Sequence, residues 1–247
     1  QLQLLVILAY NSIMKSTILD KSKLVNSVFS KVYKKYDLMN DIMSFGIHRL
    51  WKDKFIDWMN PYVGSKLIDV ASGTGDIAKL FSKHNNNLSE ITCIEPNSKM
   101  FEEGKKNLKR LKNINWFKAQ AEKLPVKDNT YDYYSISYGI RNVTDINKTL
   151  KEAYRVLKPG GRFMCLEFSK IDNETLDYLY KQYSKTIPII GKYVVGSPEP
   201  YKYLIESIEQ FYNQNQLIEL MKDNGFSNTE YRNLSGGVSA IHSGWKV

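Results

Sequence analysis

At 247 residues the chain is long enough for one substantial domain with its own core and too short for two full enzymatic domains. A hydrophobic share of 43% and a charged share of 25% are ordinary for a globular domain and suggest neither a disordered chain nor a membrane-spanning one. The net charge of +9 invites a nucleic-acid partner, yet the lysines recur singly from Lys15 to Lys246 among Asn and Glu, which favours a solvated surface, with attraction to an anionic membrane also open.

The opening QLQLLVILAY is apolar but shorter than the roughly 20 residues a spanning helix needs, so residues 1–22 are set aside as a leader segment, a targeting remnant being one reading. Residues 23–247 are expected to form a single domain. From Lys23 to Asn60 the pattern is helical, with Val25, Val28, Phe29 and Val32 on one face and a second amphipathic piece through Trp51, Phe55 and Trp58, closed by Pro61.

Alternation follows over residues 61–170. KLIDVA, ITCIEP, INWFKA, YDYYSISYG and RFMCLEF read as strands, and GDIAKLFSKH, SKMFEEGKKNLKRL and TLKEAYRVL as the helices between them, with Pro-Gly-Gly ending the last helix. Strand and helix taking turns implies parallel strands with right-handed crossovers, a doubly wound α/β sheet. Residues 171–212 contain a Tyr-rich insertion broken by Pro188, Pro198 and Pro200, expected as a helical lid. Residues 213–247 give a helix, QLIELMKDNGF, and two strand-like runs, NTEYRNL and GGVSAIHSGW, expected as an antiparallel hairpin at a sheet edge. Cys93 and Cys165 each sit in an apolar run without a partner at metal-ligand spacing, so both are read as reduced core residues and no metal site is expected.

Gly73, Gly75 and Ala78 in GTGDIA satisfy G-x-G-x-x-G/A, and Glu95 follows about 20 residues later, where an acid can accept both hydroxyls of a ribose. The turn alone fits a nicotinamide dinucleotide as well as S-adenosylmethionine. Two features separate them. QAEKLPVKDNTYD brings Gln120, Ala121 and Glu122 to the end of the third strand, beside an adenine edge, and RVLKPGGRF ends a helix in Pro-Gly-Gly and opens the fifth strand; with the terminal hairpin these give the layout of class I S-adenosylmethionine-dependent methyltransferases, a Rossmann-like doubly wound sheet with an antiparallel C-terminal hairpin strand.

Three separated motifs, YDLMNDIMSFGIHRLWK (Tyr36 to Lys52), GIRNVTD (Gly139 to Asp145) and RVLKPGGRFMCLEFS (Arg155 to Ser169), closely resemble the ubiquinone/menaquinone biosynthesis C-methyltransferases of the UbiE type, as does the tail NLSGGVSAIHSGWK. The resemblance runs from about Lys23 to the C-terminus. It implies transfer of a methyl group from S-adenosylmethionine to a ring carbon of a prenylated hydroquinone, either a benzoquinol on the way to ubiquinone or demethylmenaquinol. It also implies cofactor contacts from Thr74, Glu95, Gln120, Ala121 and Ser137, a cover from Tyr36 and its neighbours, and Arg141 and Asn142 at the reacting ring. Glu95 replaces the family's more usual Asp, Gln120 stands where Asp or Asn is common, and Ser72 where glycine is frequent, which argues for a slightly tighter turn.

A neutral hydroquinone carbon is a poor nucleophile, and deprotonating the adjacent hydroxyl pushes electron density onto it. On this reading Arg141 stabilises the phenolate and Asn142 orients a water acting as base. The bland alternative for Arg141 is a helix-start salt bridge with Asp145. His48 is a second candidate base, a packed histidine beside Trp51 being its alternative. Asp69 either holds the cofactor's amino group through water or caps the loop. The insertion reads as a lid, as a channel for the prenyl tail, or as both.

The family resemblance further implies a quinone-biosynthesis enzyme complex, peripheral membrane association, a possible homodimer, and either the matrix side of the mitochondrial inner membrane or a bacterial cytoplasm. A nucleic-acid methyltransferase is disfavoured, because the only adenine-methylation-like tripeptide, NPY at Asn60 to Tyr62, precedes the first strand instead of following the fourth.

Overall fold

The computed structural model describes the backbone of residues 21–31, 33, 36–44 and 46–247, and the side chains of these apart from residues 36, 37, 194 and 195. Strand β1 (Lys66–Val70) reads KLIDV, and its alternation sends Leu67 into one apolar layer and Ile68 and Val70 into the other. Strands β2 (Glu90–Ile94), β3 (Ile114–Phe117), β4 (Tyr131–Ser137) and β5 (Leu157–Phe168) lie parallel to it. The C-terminal β6 (Ser227–Leu234) and β7 (Ser239–Trp245) complete a seven-stranded sheet of order β3-β2-β1-β4-β5-β7-β6. Only β7 runs antiparallel to its neighbours, slotting between β5 and β6. The predicted doubly wound sheet with an antiparallel hairpin strand is therefore present. The half-exposed, polar β6 takes the edge, where charged side chains blunt further pairing.

Helices α2 (Tyr36–Ser44), α3 (His48–Met59), α4 (Asp76–His84), α7 (Glu174–Val195) and α8 (Glu199–Gln210) bury Met39, Phe55, Phe81, Ile187 and Tyr201 against one face. Helices α6 (Ile146–Val156) and α9 (Gln214–Asp223) bury Leu150, Ala153, Leu217 and Met221 against the other. Residues 21–31 form helix α1, and Ser98–Asn107 form α5. The described helix already includes Lys21 and Ser22, two residues before the expected Lys23, and Val32 lies outside the described residues. Helix α3 stops where Asn60 turns left-handed, at φ 47°, just before the expected Pro61.

Pro-Gly-Gly departs from expectation. Helix α6 ends at Val156, and Leu157 already pairs with Tyr131, so Pro159, Gly160 and Gly161 lie within β5, where the register jumps between Tyr131 and Tyr133. Proline offers no amide to the ladder and Gly160 adopts φ 78°, so the strand bulges instead of breaking. Cys93 in β2 and Cys165 in β5 are buried and free, with β1 and β4 between them; three strand spacings, about 14 Å, exceed any disulfide reach. The insertion is helical as expected. Gly191 of α7 lets the Tyr201 ring of α8 approach, since a Cβ there would sit 2.1 Å from Tyr201 Cδ2. Tyr180 and Tyr183 donate to the carbonyls of Met43 and Ile42, fastening the lid to α2.

Candidate active site

The chain reverses direction across the sheet between β1 and β4, and ligands of such sheets sit beyond the carboxyl ends of the strands at that point. Both loops there are bent left-handed at non-glycine residues, Ala71 at φ 54° and Tyr138 at φ 54°. They also touch: a Cβ on Gly139 would lie 2.6 Å from that of Ala71. Ser72 stitches the turn to β2, donating to the Asp69 carbonyl at 2.6 Å and accepting from the Ile94 amide at 3.1 Å. A glycine in its place makes neither bond.

Glu95 stands immediately after β2. Its Oε2 accepts from the Gly73 amide at 2.9 Å and its Oε1 from the Asn97 amide at 2.8 Å, which locks the carboxylate against the glycine turn. Asp69, in β1, accepts from Ser135 Oγ at 2.7 Å through Oδ1, while its buried Oδ2 accepts no hydrogen bond. Burial pushes both carboxyls up to about 7.

A cavity of about 360 Å³ is lined by Gly73, Glu95, Gln120, Ala121, Tyr138 and Asn142. Beside it a chamber of about 30 Å³ is lined by Lys52, Asp69, Thr74 and Ser137, and the two share Ala71, Gly73 and Tyr138. Most of the residues expected at a cofactor therefore line these two adjoining spaces. Gly75 lines neither part. It caps α4 at φ 90°, and a Cβ on it would meet Leu108 Cδ1 at 2.6 Å. Gly75→Ala is accordingly expected to lower stability by about 2 to 4 kcal/mol, from left-handed strain and overpacking together; a chemical-denaturation loss below about 1 kcal/mol would contradict that packing role.

The two raised carboxyls set a pH dependence. A folded value near 7 against an unfolded one near 4 means that the folded chain holds protons the unfolded chain has lost between those limits. Their contribution to stability is therefore full below about 4 and disappears as pH rises through 7. A cationic ligand favours the ionised forms. Its affinity should climb up to about pH 7 and then level off, with protons released on binding at pH 6; calorimetry in buffers of different ionisation enthalpy measures that release, and zero release would rule it out.

Helix α1, for which no role at a site was expected, walls the large cavity with Val25, Asn26 and Phe29. The Asn97 side chain caps α5 through its oxygen and donates through its nitrogen to Asn26 Oδ1 at 2.6 Å and Ser30 Oγ at 2.8 Å. Lys21 Nζ reaches the Val143 carbonyl at 2.6 Å, so α1 straps the mouth from one loop to the other. The expected cover, Tyr36, has its side chain outside the described residues. Lys52 was also missed, though a signal existed: it follows His48 by one helical turn on the stripe that buries Trp51 and Phe55.

Arg141 and Asn142 form a single 3-10 turn after β4. The Arg141 guanidinium is buried, ion-paired to Glu167 in β5 and bonded to the Tyr138 carbonyl at 3.1 Å and Ser207 Oγ at 3.3 Å, with the Phe168 ring 5.6 Å away. The Asp145 pairing is thus corrected: Asp145 caps α6 by accepting from the Lys148 amide at 3.0 Å. Arg141 is absent from the cavity wall, whereas Asn142 lines it, donating to the Tyr138 carbonyl at 3.2 Å and accepting from Tyr203 Oη of α8 at 2.8 Å. Glu122 ties the β3 loop to the β4 loop by accepting from the Thr144 amide at 2.6 Å and its hydroxyl at 2.7 Å. His48 is not brought to the cavity. Its Nε2 lies 3.0 Å from Asp41 Oδ1 at the α2–α3 junction, and burial lowers its pKa, so the packed alternative describes it.

Residues 16–246 match the model of the ubiE/COQ5 methyltransferase family. A Rickettsia bellii protein named ubiquinone/menaquinone biosynthesis C-methyltransferase UbiE is 52% identical over 235 residues, covering 92% of this chain and 94% of the relative. A Dictyostelium discoideum protein named 2-methoxy-6-polyprenyl-1,4-benzoquinol methylase, mitochondrial, is 44% identical, covering 92% of this chain and 83% of that one. Among solved structures, a SAM-dependent methyltransferase from Aquifex aeolicus superposes with TM-score 0.64 at 18% identity over 87% of this chain and 97% of its own, a likeness of fold.

Proposed function

Because the chain belongs to the ubiE/COQ5 methyltransferase family, we infer that it transfers a methyl group from S-adenosylmethionine to a ring carbon of a prenylated hydroquinone, a step in ubiquinone or menaquinone formation. The observation that carries this reading is the cavity with its adjoining chamber. Its Glu95 carboxylate is fixed by two amides, its Gly73 has no side chain, and its Asp69 Oδ2 and Ser137 Oγ are buried polar atoms without a partner, a donor set that suits a cationic nucleoside. When bound, S-adenosylmethionine supplies an electrophilic methyl on sulfonium sulfur. The residues of the chain do the rest.

Glu95 retains lone pairs for ribose hydroxyls, and Gln120 and Ala121 flank the base. Asn142, held from both sides by the Tyr138 carbonyl and Tyr203, has one amide proton left to hold a water or a ring oxygen at the cavity wall. The ring hydroxyl would give its proton to that water, the electron pair so released would load the carbon that takes the methyl, and that carbon would then lose its own hydrogen as a proton to restore the aromatic ring. Arg141, neutralised by Glu167, serves as a positioning residue for this turn. Its charge favours the phenolate only from behind the wall.

A tail path is supported by two grooves along α7 and α8. One of about 400 Å³ is lined by Met43, Ile171, Tyr180, Ile205 and Ile208; one of about 350 Å³ has Tyr178, Pro188 and Ile205 among a wall otherwise of charged and polar side chains; they share Lys181, Ser184, Ile205 and Glu209. Each isoprene buried there contributes about 4 kcal/mol at about 0.8 per carbon. No described helix is long and apolar enough to cross a membrane. The outer face of α7 nevertheless exposes Tyr178, Leu179, Ile189, Ile190 and Tyr193 within an arc of about 120°, beside a row of Lys181, Lys185 and Lys192. That combination supports peripheral binding to an anionic membrane from which the acceptor is drawn. The matrix side of the mitochondrial inner membrane is the compartment we carry, with a bacterial cytoplasm as the alternative.

The test uses the purified chain, S-adenosylmethionine, and benzoquinol and naphthoquinol acceptors, short-tailed in solution and long-tailed in anionic vesicles. Mass spectrometry is expected to find a C-methylated ring, faster for long tails on vesicles. Methylation of neither ring rejects the reading, and equal rates for both tail lengths reject the groove and the α7 surface.

A further inference from the structure

Helix α8 has two working faces. At about 100° per residue from Tyr203, the side chains it gives to the two grooves, Lys202, Ile205, Glu206, Ile208 and Glu209, fall between about 140° and 300°, whereas Tyr203 and Ser207 fall at about 0° and 40°. Those two reach the turn after β4. Tyr203 Oη donates to Asn142 Oδ1 at 2.8 Å, and Ser207 Oγ accepts from Arg141 Nε at 3.3 Å while giving its own proton to the Leu204 carbonyl at 2.8 Å. Packing alone needs no hydroxyl at 203, since a phenylalanine covers the same half-buried area. Burial raises the Tyr203 pKa, so the hydroxyl keeps the proton it donates.

The two helices that wall the grooves differ in how firmly they are held. Lys170, just after β5, donates through Nζ to the carbonyls of Ile208 at 3.1 Å and Glu209 at 2.6 Å, which ties the last turn of α8 to the sheet. On the facing wall, Pro188 inside α7 offers no amide to the Ser184 carbonyl four residues earlier, and both residues line the outer groove. A helix that lacks one rung bends there more readily, so α7 can adapt to what lies between the walls. An apolar chain in that space touches Ile205 and Ile208 from the outer side and holds α8 against the turn it meets on the inner side. A ligand shifts such a balance only by binding one arrangement better than another, and a chain that bridges both walls meets that condition.

We propose that Tyr203 is a positioning residue that couples the acceptor's tail to methyl transfer: a tail in the α7–α8 grooves seats α8, and the seated Tyr203 hydroxyl fixes the Asn142 amide at the wall of the large cavity. The tail then raises the rate of the chemical step as well as the affinity, because binding energy from a remote part of the acceptor is used at the reacting ring. Ser207 gives the same turn a second, longer hold through Arg141. The coupling rests on the proposed quinol methylation and on the grooves as the tail path, whose failures read differently in the test.

Single-turnover methyl transfer from bound S-adenosylmethionine is measured for acceptors of one ring and two tail lengths in the same neutral detergent micelles, giving a saturated rate and a half-saturation concentration for each. In the unaltered chain the long tail is expected to lower the half-saturation concentration and to raise the saturated rate by roughly 3- to 10-fold, the range of one hydrogen bond. In Tyr203→Phe the ratio of saturated rates is expected to fall to about one while the long tail keeps its advantage in half-saturation and S-adenosylhomocysteine affinity stays within about twofold. Ser207→Ala should lower the ratio part of the way. Equal saturated rates for the two tails in the unaltered chain overturn the coupling, even if Tyr203→Phe fails to fold. A folded Tyr203→Phe that slows both acceptors equally, or that keeps the full ratio, overturns it too. A long tail that brings no advantage in half-saturation defeats the grooves as the tail path, and methylation of neither acceptor defeats the quinol reading, the coupling falling with each.

Discussion

Arg141→Ala is expected to cost about 3 to 5 kcal/mol of folding free energy, because it leaves Glu167 ionised or forced to protonate in a site from which water is excluded. The two side chains are 2% and 1% exposed, and burial already pushes the Glu167 carboxyl above its ordinary value while the guanidinium pulls it down. Glu167 also accepts from the Phe168 amide at 2.9 Å, so the carboxylate anchors β5 as well as the Arg141 turn. Replacing both, as Arg141→Met with Glu167→Leu, should recover most of the lost stability, since well-packed apolar side chains can substitute for a buried pair. Turnover should not recover, because the bonds from Arg141 to the Tyr138 carbonyl and Ser207 hold the turn that carries Asn142. Urea unfolding together with kcat and cofactor affinity checks both halves. A single-variant loss below about 1 kcal/mol, or a double variant with full turnover, would contradict the positioning role.

Glu95→Gln is expected to weaken S-adenosylhomocysteine binding by roughly 100-fold at pH 8, the size of discrimination seen when a buried polar site loses a matched partner. A carboxylate satisfies the Gly73 and Asn97 amides with separate oxygens, 2.9 and 2.8 Å away, and still faces the cavity. The amide of glutamine has one oxygen for two donors, so one N–H confronts an NH2 group. Glu95→Asp keeps the charge but is one methylene shorter. It should fall between the two, with the loss confined to ligands that carry both ribose hydroxyls; a 2′-deoxy analogue bound equally by all three proteins identifies the sugar as the group being read. Affinity unchanged in Glu95→Gln would remove the carboxylate from the site.

The alternation of strands and helices, the glycine turn, the acid after β2 and the terminal hairpin were all legible along the chain, because each is a short-range pattern: a period of two or of about 3.6, a residue tolerant of positive φ, a cap. Gly73, Thr74, Glu95, Gln120, Ala121 and Ser137 could be named from such patterns and from what the family resemblance implies, since strand ends in a doubly wound sheet converge on one crevice. What the chain order could not show is which charges meet. Arg141 had Asp145 four residues away as a plausible partner, but its true partner, Glu167, comes from the neighbouring strand, 26 residues on. Asn97 is bonded across 71 residues to Asn26, which turns an unremarkable amphipathic helix into the wall of a cavity. Lys52 meets Asp76 only once α3 packs beside the first turn of α4. Local sequence sets backbone preference and which face is apolar; the pairing of buried polar groups depends on distances that exist only after the sheet has assembled, and there the tertiary structure alone decided.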